Sequence, residues 1–162
     1  SAGRGFDTDL MFKRKAAGSS GAAADQASAS VKPPAGFDER AFMDGAQYAY
    51  RQLQASWDKG ELSDIRNLTT DAVYNELESQ IKDRQGSNRT DVVKLRTQLL
   101  EVKEDNGQWV ASVLYDALLR EVDEHSGSKP SPQWVREVWH FTRPAKTDKP
   151  TWYLDGIQQL EG

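Results

Sequence analysis

Two short aromatic-rich blocks near the end of the sequence restrict its fold more than any other feature. They are EVWHFTRP (residues 137–144) and TWYLDGIQQL (residues 151–160), and a short polar loop separates them. Each block is too short for a helix of normal length, and aromatic and β-branched residues favour a pleated, half-buried surface. The blocks therefore predict two strands of one antiparallel sheet, with Trp139 and Trp152 largely buried.

A hairpin is predicted upstream, at Asn106-Gly107. Asn-Gly between two alternating apolar runs is the strongest short-range hairpin signal. Before it, Leu100 and Val102 alternate with polar residues, and residues 86–91 (GSNRTD) read as a loop. After it, a long strand has two largely apolar faces. One face carries Trp109, Ala111, Val113, Tyr115, Ala117 and Leu119, and the other carries Val110, Ser112, Leu114, Asp116 and Leu118.

Helices are predicted before the strands. Asp38 is a suitable N-cap, with Phe37 and Phe42 placed as a hydrophobic staple. Apolar residues then recur at helical spacing as far as Trp57, which we expect to be buried, and Gly60 can end the first helix. Shorter helical segments follow, one of them capped by Thr70 or Asp71. Helices followed by an antiparallel meander predict an α+β domain, with the helices on one face of a curved sheet.

The first 36 residues differ in composition from the rest. Residues 16–36 are mostly Ala, Ser, Gly and Pro without apolar periodicity, which is typical of a flexible linker. A short basic amphipathic helix can precede the linker, because its cations would suit the C-terminal end of the helix dipole. This tail holds five cations and three anions, a net charge of +2. The residues that could contact an anionic membrane or a docking groove are Phe6, Leu10, Met11, Phe12, Lys13, Arg14 and Lys15.

Charge and cysteine content exclude several classes of function. The net charge is −4, and a general nucleic-acid binder needs a basic surface, so we predict no nucleic-acid partner. The absence of cysteine removes disulfides, thiolate metal sites and cysteine nucleophiles. The two histidines, His125 and His140, do not combine with carboxylates at metal-ligand spacing. We therefore predict neither a metal site nor another cofactor.

The order and spacing of several motifs resemble one protein family. The motifs are WDKGELSDIRNL (57–68), VASVLY (110–115), EVWHFTRP and WYLDGIQQ. Across residues 37–162 the chain resembles the Tim44-like family, the C-terminal domain of the matrix-side peripheral subunit of the mitochondrial inner-membrane protein translocase, and in particular its bacterial branch. The resemblance implies a nuclear-transport-factor-2-like (NTF2-like) cone, in which N-terminal helices pack on about four curved antiparallel strands around an apolar pocket.

In function, the resemblance implies a non-catalytic binding and scaffold domain at a membrane. We therefore expect a protein partner, a membrane surface and a small hydrophobic or lipid ligand. We also expect attachment to a bacterial inner membrane through an N-terminal segment that this chain lacks. By analogy, the pocket would be lined by Phe42, Tyr50, Trp57, Tyr115, Glu137, Trp139, Phe141 and Asp155. Asp155 departs from the family pattern, where a small apolar residue is expected, so a purely lipid-lined pocket is in doubt.

Two other functions fit the same cone. Enzymes occur on it with a general base inside the pocket, and the candidates here are Asp116, Glu137, His140, Asp155 and Tyr115. Strand parity places Glu137 and His140 on opposite faces, so they cannot form a simple acid–base pair. We therefore favour a non-catalytic domain over an isomerase or dehydratase. A soluble carrier of a small hydrophobic ligand is the other alternative, and it would need a dry apolar pocket open to the surface.

Overall fold

The structure is a computed structural model, and it describes residues 32–84, 89–123 and 125–160. Within these ranges three helices come first and four strands follow. The helices are α1 (Glu39–Lys59), α2 (Leu62–Leu68) and α3 (Asp71–Asp83). The strands are β1 (Arg89–Asp105), β2 (Gln108–Val122), β3 (Gln133–Pro144) and β4 (Tyr153–Leu160). The predicted α+β order is confirmed.

These strands form one antiparallel sheet in the order β1-β2-β3-β4, so neighbours along the chain are neighbours in the sheet. Asn106 and Gly107 join β1 to β2 with positive φ angles of 52° and 78°. Positive φ at both central residues is what a tight hairpin turn requires, and the predicted turn is confirmed. The register of β1 against β2 shifts after Val92 and after Leu99. Such bulges bend a strand and increase its twist.

β1 begins earlier than the sequence pattern indicated. Residues 86–91 were expected to form a loop, but the strand starts at Arg89. The loop prediction is therefore wrong for residues 89–91. The bulge explains the error. Val92 pairs with Leu119, which faces the core, whereas Lys94 pairs with Leu118, which faces away from it. An extra residue between them breaks the alternation that would have marked a strand.

α1 packs against the inner face of the sheet, as its residue spacing predicts. Its N-cap Asp38 accepts the backbone N–H of Ala41 at 3.1 Å. The rings of Phe37 and Phe42 lie 5.5 Å apart, which confirms the hydrophobic staple. Gly60 ends the helix in the left-handed region, with φ 71°. The buried apolar residues of α1 are Phe42, Ala46, Tyr50, Leu53 and Trp57.

The centre of the core is a cluster of three aromatic rings. Tyr50 of α1, Tyr115 of β2 and Trp139 of β3 are all fully buried. Their ring centroids lie 4.8–4.9 Å apart in each pairing. Trp57 and Trp139 are thus buried as predicted. Trp152 is partly buried, because it packs against the core and also forms part of a cavity wall, so it is the most exposed of the three tryptophans.

The start of α3 is joined to β4. The backbone N–H of Thr70 donates to the carbonyl oxygen of Leu154 at 2.9 Å. The Thr70 hydroxyl donates to Oδ1 of Asp155, also at 2.9 Å. Thr70 is the N-cap of α3 but makes no side-chain capping bond, because its hydroxyl is directed to β4. This contact closes the cone between its helices and its last strand.

The outer face of the sheet has a smaller apolar cluster of its own. Leu100, Leu114 and Val138 are between 3% and 5% exposed, and Leu160 packs against them. Among the described residues, its members all lie in strands. Alternate β2 residues therefore face two separate clusters, as strand parity predicts.

Candidate functional site

The end of the inner face near the start of α1 contains a cavity of about 400 Å³. It opens between the first half of α1, the beginning of β2, the end of β3 and the segment that leads into β4. Its aromatic wall residues are Phe37, Phe42, Tyr48, Trp109, Phe141 and Trp152. We call this site the aromatic cavity.

The rings of this wall support one another. The centroid of Phe42 lies 4.7 Å from that of Trp152 and 5.7 Å from that of Phe141, both edge to face. Phe37 and Trp152 make a further edge contact at 6.1 Å. Edge-to-face pairs contribute roughly 0.5–1.5 kcal/mol beyond the burial of their area. The cavity is therefore held open by a connected set of rings.

Arg143 supplies a cation to the cavity wall. Its guanidinium carbon lies 4.7 Å from the ring centre of Trp109 and 5.8 Å from that of Trp152. Its Nε donates to the carbonyl oxygen of Pro144 at 3.3 Å and its Nη2 to that of Thr147 at 3.4 Å, and the other N–H groups of the stacked guanidinium can donate to an anion. Asp38 also lines the cavity, and its carboxylate caps α1. An apolar ligand with a polar group that accepts hydrogen bonds from Arg143 would match this combination.

A glycine limits how far α1 fills the cavity. Gly45 lies in α1 and lines the space, and a Cβ placed on it would meet nothing within 4 Å. Glycine inside a helix costs about 0.5–1 kcal/mol relative to alanine. The position therefore has room for a larger side chain at the cavity wall.

The eight residues predicted to line a pocket lie in three places, which are this cavity, the core and the contact between α3 and β4. Phe42 and Phe141 line the aromatic cavity. Asp155 is half-buried and accepts a hydrogen bond from Thr70. The remaining predicted residues are buried in the core, where α1 packs directly on the sheet, and they are Tyr50, Trp57, Tyr115, Glu137 and Trp139.

Trp109, Arg143 and Trp152 line the cavity but were absent from the predicted set. A signal for them exists in the sequence. Trp109 comes just after the Asn-Gly turn, and Arg143 and Trp152 flank the loop between β3 and β4. In an antiparallel meander these two connections lie at the same end of the sheet. Side chains next to them can therefore meet.

Glu137, the candidate general base, lies inside the packed core at 1% exposure. Its Oε1 accepts the indole N–H of Trp139 at 2.8 Å. Burial of the Tyr115 hydroxyl is the main cause that raises its pKa well above the usual value. The neighbouring Tyr50 and Glu137 raise this pKa further. The Tyr115 hydroxyl therefore stays protonated and donates to a backbone carbonyl of α1 at 2.9 Å. Glu137 is four residues from Phe141, which is about 13 Å along the strand, so it is remote from the cavity.

The other candidate catalytic residues are dispersed. Asp116 pairs with Arg136 at 3.2 Å on the outer face. Nδ1 of His140 lies 2.8 Å from Oγ of Ser112 on the same face, and Asp155 lies at the contact between α3 and β4. Glu137 and His140 are therefore on opposite faces, as predicted. The described residues contain no cluster of three or more His, Asp or Glu side chains that could hold a metal ion.

Polar contacts fix the far end of α1. Arg84 donates to the carbonyl oxygens of Trp57 at 2.6 Å and of Asp58 at 3.1 Å. Its guanidinium also lies 5.0 Å from the ring centre of Trp57. Asp58 accepts the backbone N–H of Thr90 at 2.5 Å and its hydroxyl at 3.0 Å. Burial raises the pKa of Asp58 and outweighs the opposing effect of these hydrogen bonds.

A model of one protein family matches most of the sequence. The Tim44-like domain model covers residues 23–159. The chain belongs to the Tim44-like domain family. The family predicted from the motifs is therefore confirmed. None of the curated proteins matches the chain.

Solved structures share the fold of this Tim44-like domain at low identity. The intermembrane space region of the chloroplast protein ARC6 has a TM-score of 0.52 and 9% identity, and the match covers 78% of this chain and 98% of that one. An NTF2-like superfamily protein from Salmonella enterica subsp. enterica serovar Typhimurium str. LT2 has a TM-score of 0.46, 10% identity and coverages of 76% and 92%. These likenesses concern the fold alone. The predicted α+β class, with helices followed by a four-stranded antiparallel sheet, is confirmed.

The tail residues proposed for membrane or partner contact, from Phe6 to Lys15, lie outside the described residues. Within the described ranges, no helix combines the length and the apolar composition that crossing a bilayer requires. The function of the tail therefore stays a prediction from its composition.

Proposed function

We propose that this Tim44-like domain is a non-catalytic binding and scaffold domain that works at a membrane. The family is generally one of binding domains, which supports this assignment. The aromatic cavity is the observation that carries it, because preformed apolar cavities with a few polar groups are typical binding sites. An isomerase or dehydratase has weaker support, since Glu137 lies in the packed core, away from the cavity.

In this proposal the tail and the domain have different roles. The tail joins apolar side chains to the cations Lys13, Arg14 and Lys15. An anionic lipid surface attracts such cations by about 1 kcal/mol each, and salt weakens the attraction. The tail alone would therefore bind weakly and reversibly, so a further anchor is needed. Residues 37–162 hold 16 cations and 22 anions, a net charge of −6, so the domain stays off the lipid and faces its protein partner.

Co-sedimentation with liposomes tests the membrane role. The full chain is expected to bind vesicles that contain phosphatidylglycerol and to dissociate from them as salt is added. It should not bind vesicles made of phosphatidylcholine alone. A chain that starts at Phe37 should not bind either kind. Equal binding by this shorter chain would move the membrane contact into the domain and refute the role given to the tail.

A carrier of a small hydrophobic ligand is the second candidate, favoured by the cavity volume and by Arg143 at its wall. An anilinonaphthalene sulfonate dye, which joins an apolar ring system to an anion, is a suitable probe. Gly45→Phe should fill the cavity and abolish the dye signal. Ala55→Phe, at an exposed position of α1 away from the cavity, is the matched control. Unchanged dye binding by Gly45→Phe would show that the cavity is not the site.

Native mass spectrometry separates carrier from scaffold. A carrier retains its ligand through purification, so a bound mass that Gly45→Phe removes would favour a carrier. The mass of the bare chain alone would favour a scaffold whose cavity receives a side chain of its partner.

A further inference from the structure

An exposed tryptophan lies on the outer face of the sheet, far from the aromatic cavity. Trp134 is 52% exposed. It lies at the start of β3 opposite Leu118 of β2, which in turn pairs with Lys94 of β1. Tryptophan is enriched among the residues that dominate binding at protein interfaces. A single exposed apolar residue is common on protein surfaces, however. The residues around Trp134 therefore decide whether it indicates a binding surface.

Cations surround this tryptophan. In the adjacent row of the sheet, Arg96, Asp116 and Arg136 lie side by side on β1, β2 and β3. The guanidinium carbon of Arg96 lies 5.3 Å from the ring centre of Trp134. Arg136 is oriented by Asp116 at 3.2 Å. We call Lys94, Arg96, Trp134 and Arg136 the basic patch. With Asp116 it holds three cations and one anion, so a net charge of +2 lies on a chain of net charge −4.

The patch is built on rigid elements. Adjacent strands lie about 4.8 Å apart and successive rows about 6.8 Å apart, so the three strands place these side chains within one small area. The register between β1 and β2 is regular from Lys94 to Leu99, between the two bulges. The buried cluster of Leu114 and Val138 lies in the next row beyond Arg136. Both guanidinium groups are therefore positioned before any partner binds.

We infer that the basic patch is a second binding surface, which takes an acidic segment of a protein partner with an apolar side chain on Trp134. Arginine matches carboxylates with a fork of donors, and stacked aromatic faces suit apolar or aromatic side chains. The inference adds a surface to the proposed function. It depends neither on the tail nor on the aromatic cavity.

Charge disfavours the other occupants. A bilayer is a broad anionic surface, and the domain around the patch has a net charge of −6 over residues 37–162, which an anionic bilayer would repel. A second copy docked by two-fold symmetry through this patch would bring the same cations together. A narrow acidic segment avoids both conflicts.

The test uses two short synthetic peptides and the full chain labelled with nitrogen-15. One peptide alternates glutamates with serines around one phenylalanine, and in its sister every glutamate is glutamine. The indole signal of Trp134, identified by its loss in Trp134→Phe, should shift with the glutamate peptide and not with its sister. Lys94→Glu combined with Arg96→Glu should weaken binding at least about tenfold, because two attractive charges become repulsive.

A matched control reverses the same number of charges elsewhere. Lys82→Glu combined with Lys103→Glu changes exposed residues outside the patch and should leave peptide binding unchanged. Neither pair of substitutions should alter dye binding in the aromatic cavity. A negative result for the basic patch can thus be distinguished from a negative result for the proposed function.

Any of the following outcomes would overturn the inference. They are an unshifted Trp134 signal with both peptides, equal shifts with both peptides, equal affinity after reversal at Lys94 and Arg96, and a Trp134 shift with phosphatidylglycerol vesicles alone. The last would assign the patch to the bilayer. A Trp134 shift that depends only on protein concentration would assign it to a second copy and equally refute an acidic partner segment.

Discussion

The inner face of the sheet is aromatic at both ends, but one end is filled and the other is open. At the filled end Tyr50, Tyr115 and Trp139 are fully buried against one another. At the open end Trp109 and Trp152 surround a cavity of about 400 Å³. The sheet supplies large rings at both ends, so the helix makes the difference. α1 directs Tyr50 into the filled end, whereas at the open end its Gly45 has no side chain and leaves space beside Phe42.

Replacing one tryptophan at each end gives the largest expected effect. Trp139→Ala should lower the free energy of unfolding by ~3–5 kcal/mol, as large-to-small changes of buried aromatic residues do. Trp152→Ala should cost clearly less, because Trp152 is half-buried and already borders empty space. Urea unfolding of both variants measures the difference. Equal losses would mean that the two ends are packed alike.

The polar contact that fixes the filled end should give a pH-dependent effect. The pKa of Asp58 is raised in the folded state by burial, so its protonated form is favoured there more than in the unfolded chain. Its contribution to stability is greatest below the ordinary aspartate pKa of about 3.9. That contribution declines as the pH rises through the folded-state pKa.

Asp58→Asn removes this titration. The stability of the variant relative to the unsubstituted protein should therefore increase from pH ~4 upward and then level off. Urea midpoints measured across this range provide the measurement. Asp44→Asn, on an exposed part of the same helix, controls for the loss of one negative charge. A relative stability that falls with pH would contradict the raised pKa.

A smaller effect of opposite sign is expected at the open end. Gly45→Ala should stabilise the domain by about 0.5–1 kcal/mol, because alanine restricts the unfolded chain and its Cβ meets open space. Ala55→Gly, at an exposed position of α1, should lose about as much. Thermal unfolding of the two variants measures whether the gain in stability and the loss are of similar size. Destabilisation by Gly45→Ala would mean that the space at this end is occupied.

The smallest expected effect belongs to the tail. A chain that starts at Phe37 should keep the thermal midpoint of the full chain, because residues 16–36 offer few apolar groups to bury. Differential scanning calorimetry of the two chains measures it. A marked drop would show that the tail packs on the domain, and the residues to substitute next would be Phe6, Leu10, Met11 and Phe12.

Much of the fold was predictable because its signals are local. The Asp38 cap, the Gly60 terminus and the Asn106-Gly107 turn each depend on the backbone preferences of a few residues. The two faces of β2 follow from strand parity alone. The early start of β1 was not predictable in this way, because the bulge after Val92 removes the alternation on which the prediction depends.

The cavity was less accessible to sequence reasoning than the core. Periodicity assigned Tyr50 and Phe42 to the same helix face, although one fills the cone and the other lines the open space. That distinction depends on the volumes of side chains from different elements, which no single stretch of sequence contains. The omission of Arg143 has a similar cause, since its stacking on Trp109 and Trp152 joins three separate segments.

Thr70 and Asp155 are separated by 85 positions in the chain yet lie 2.9 Å apart in the fold. Translation supplies the helices and the β1-β2 hairpin first, and their contacts are mostly local, so they can form early. The cone cannot close until β4 has left the ribosome, and until then β3 presents an unpaired edge. Exposed strand edges promote mispairing. We therefore expect nascent chains that stall before β4 to need chaperone protection, and release of β4 to complete the folding of the domain.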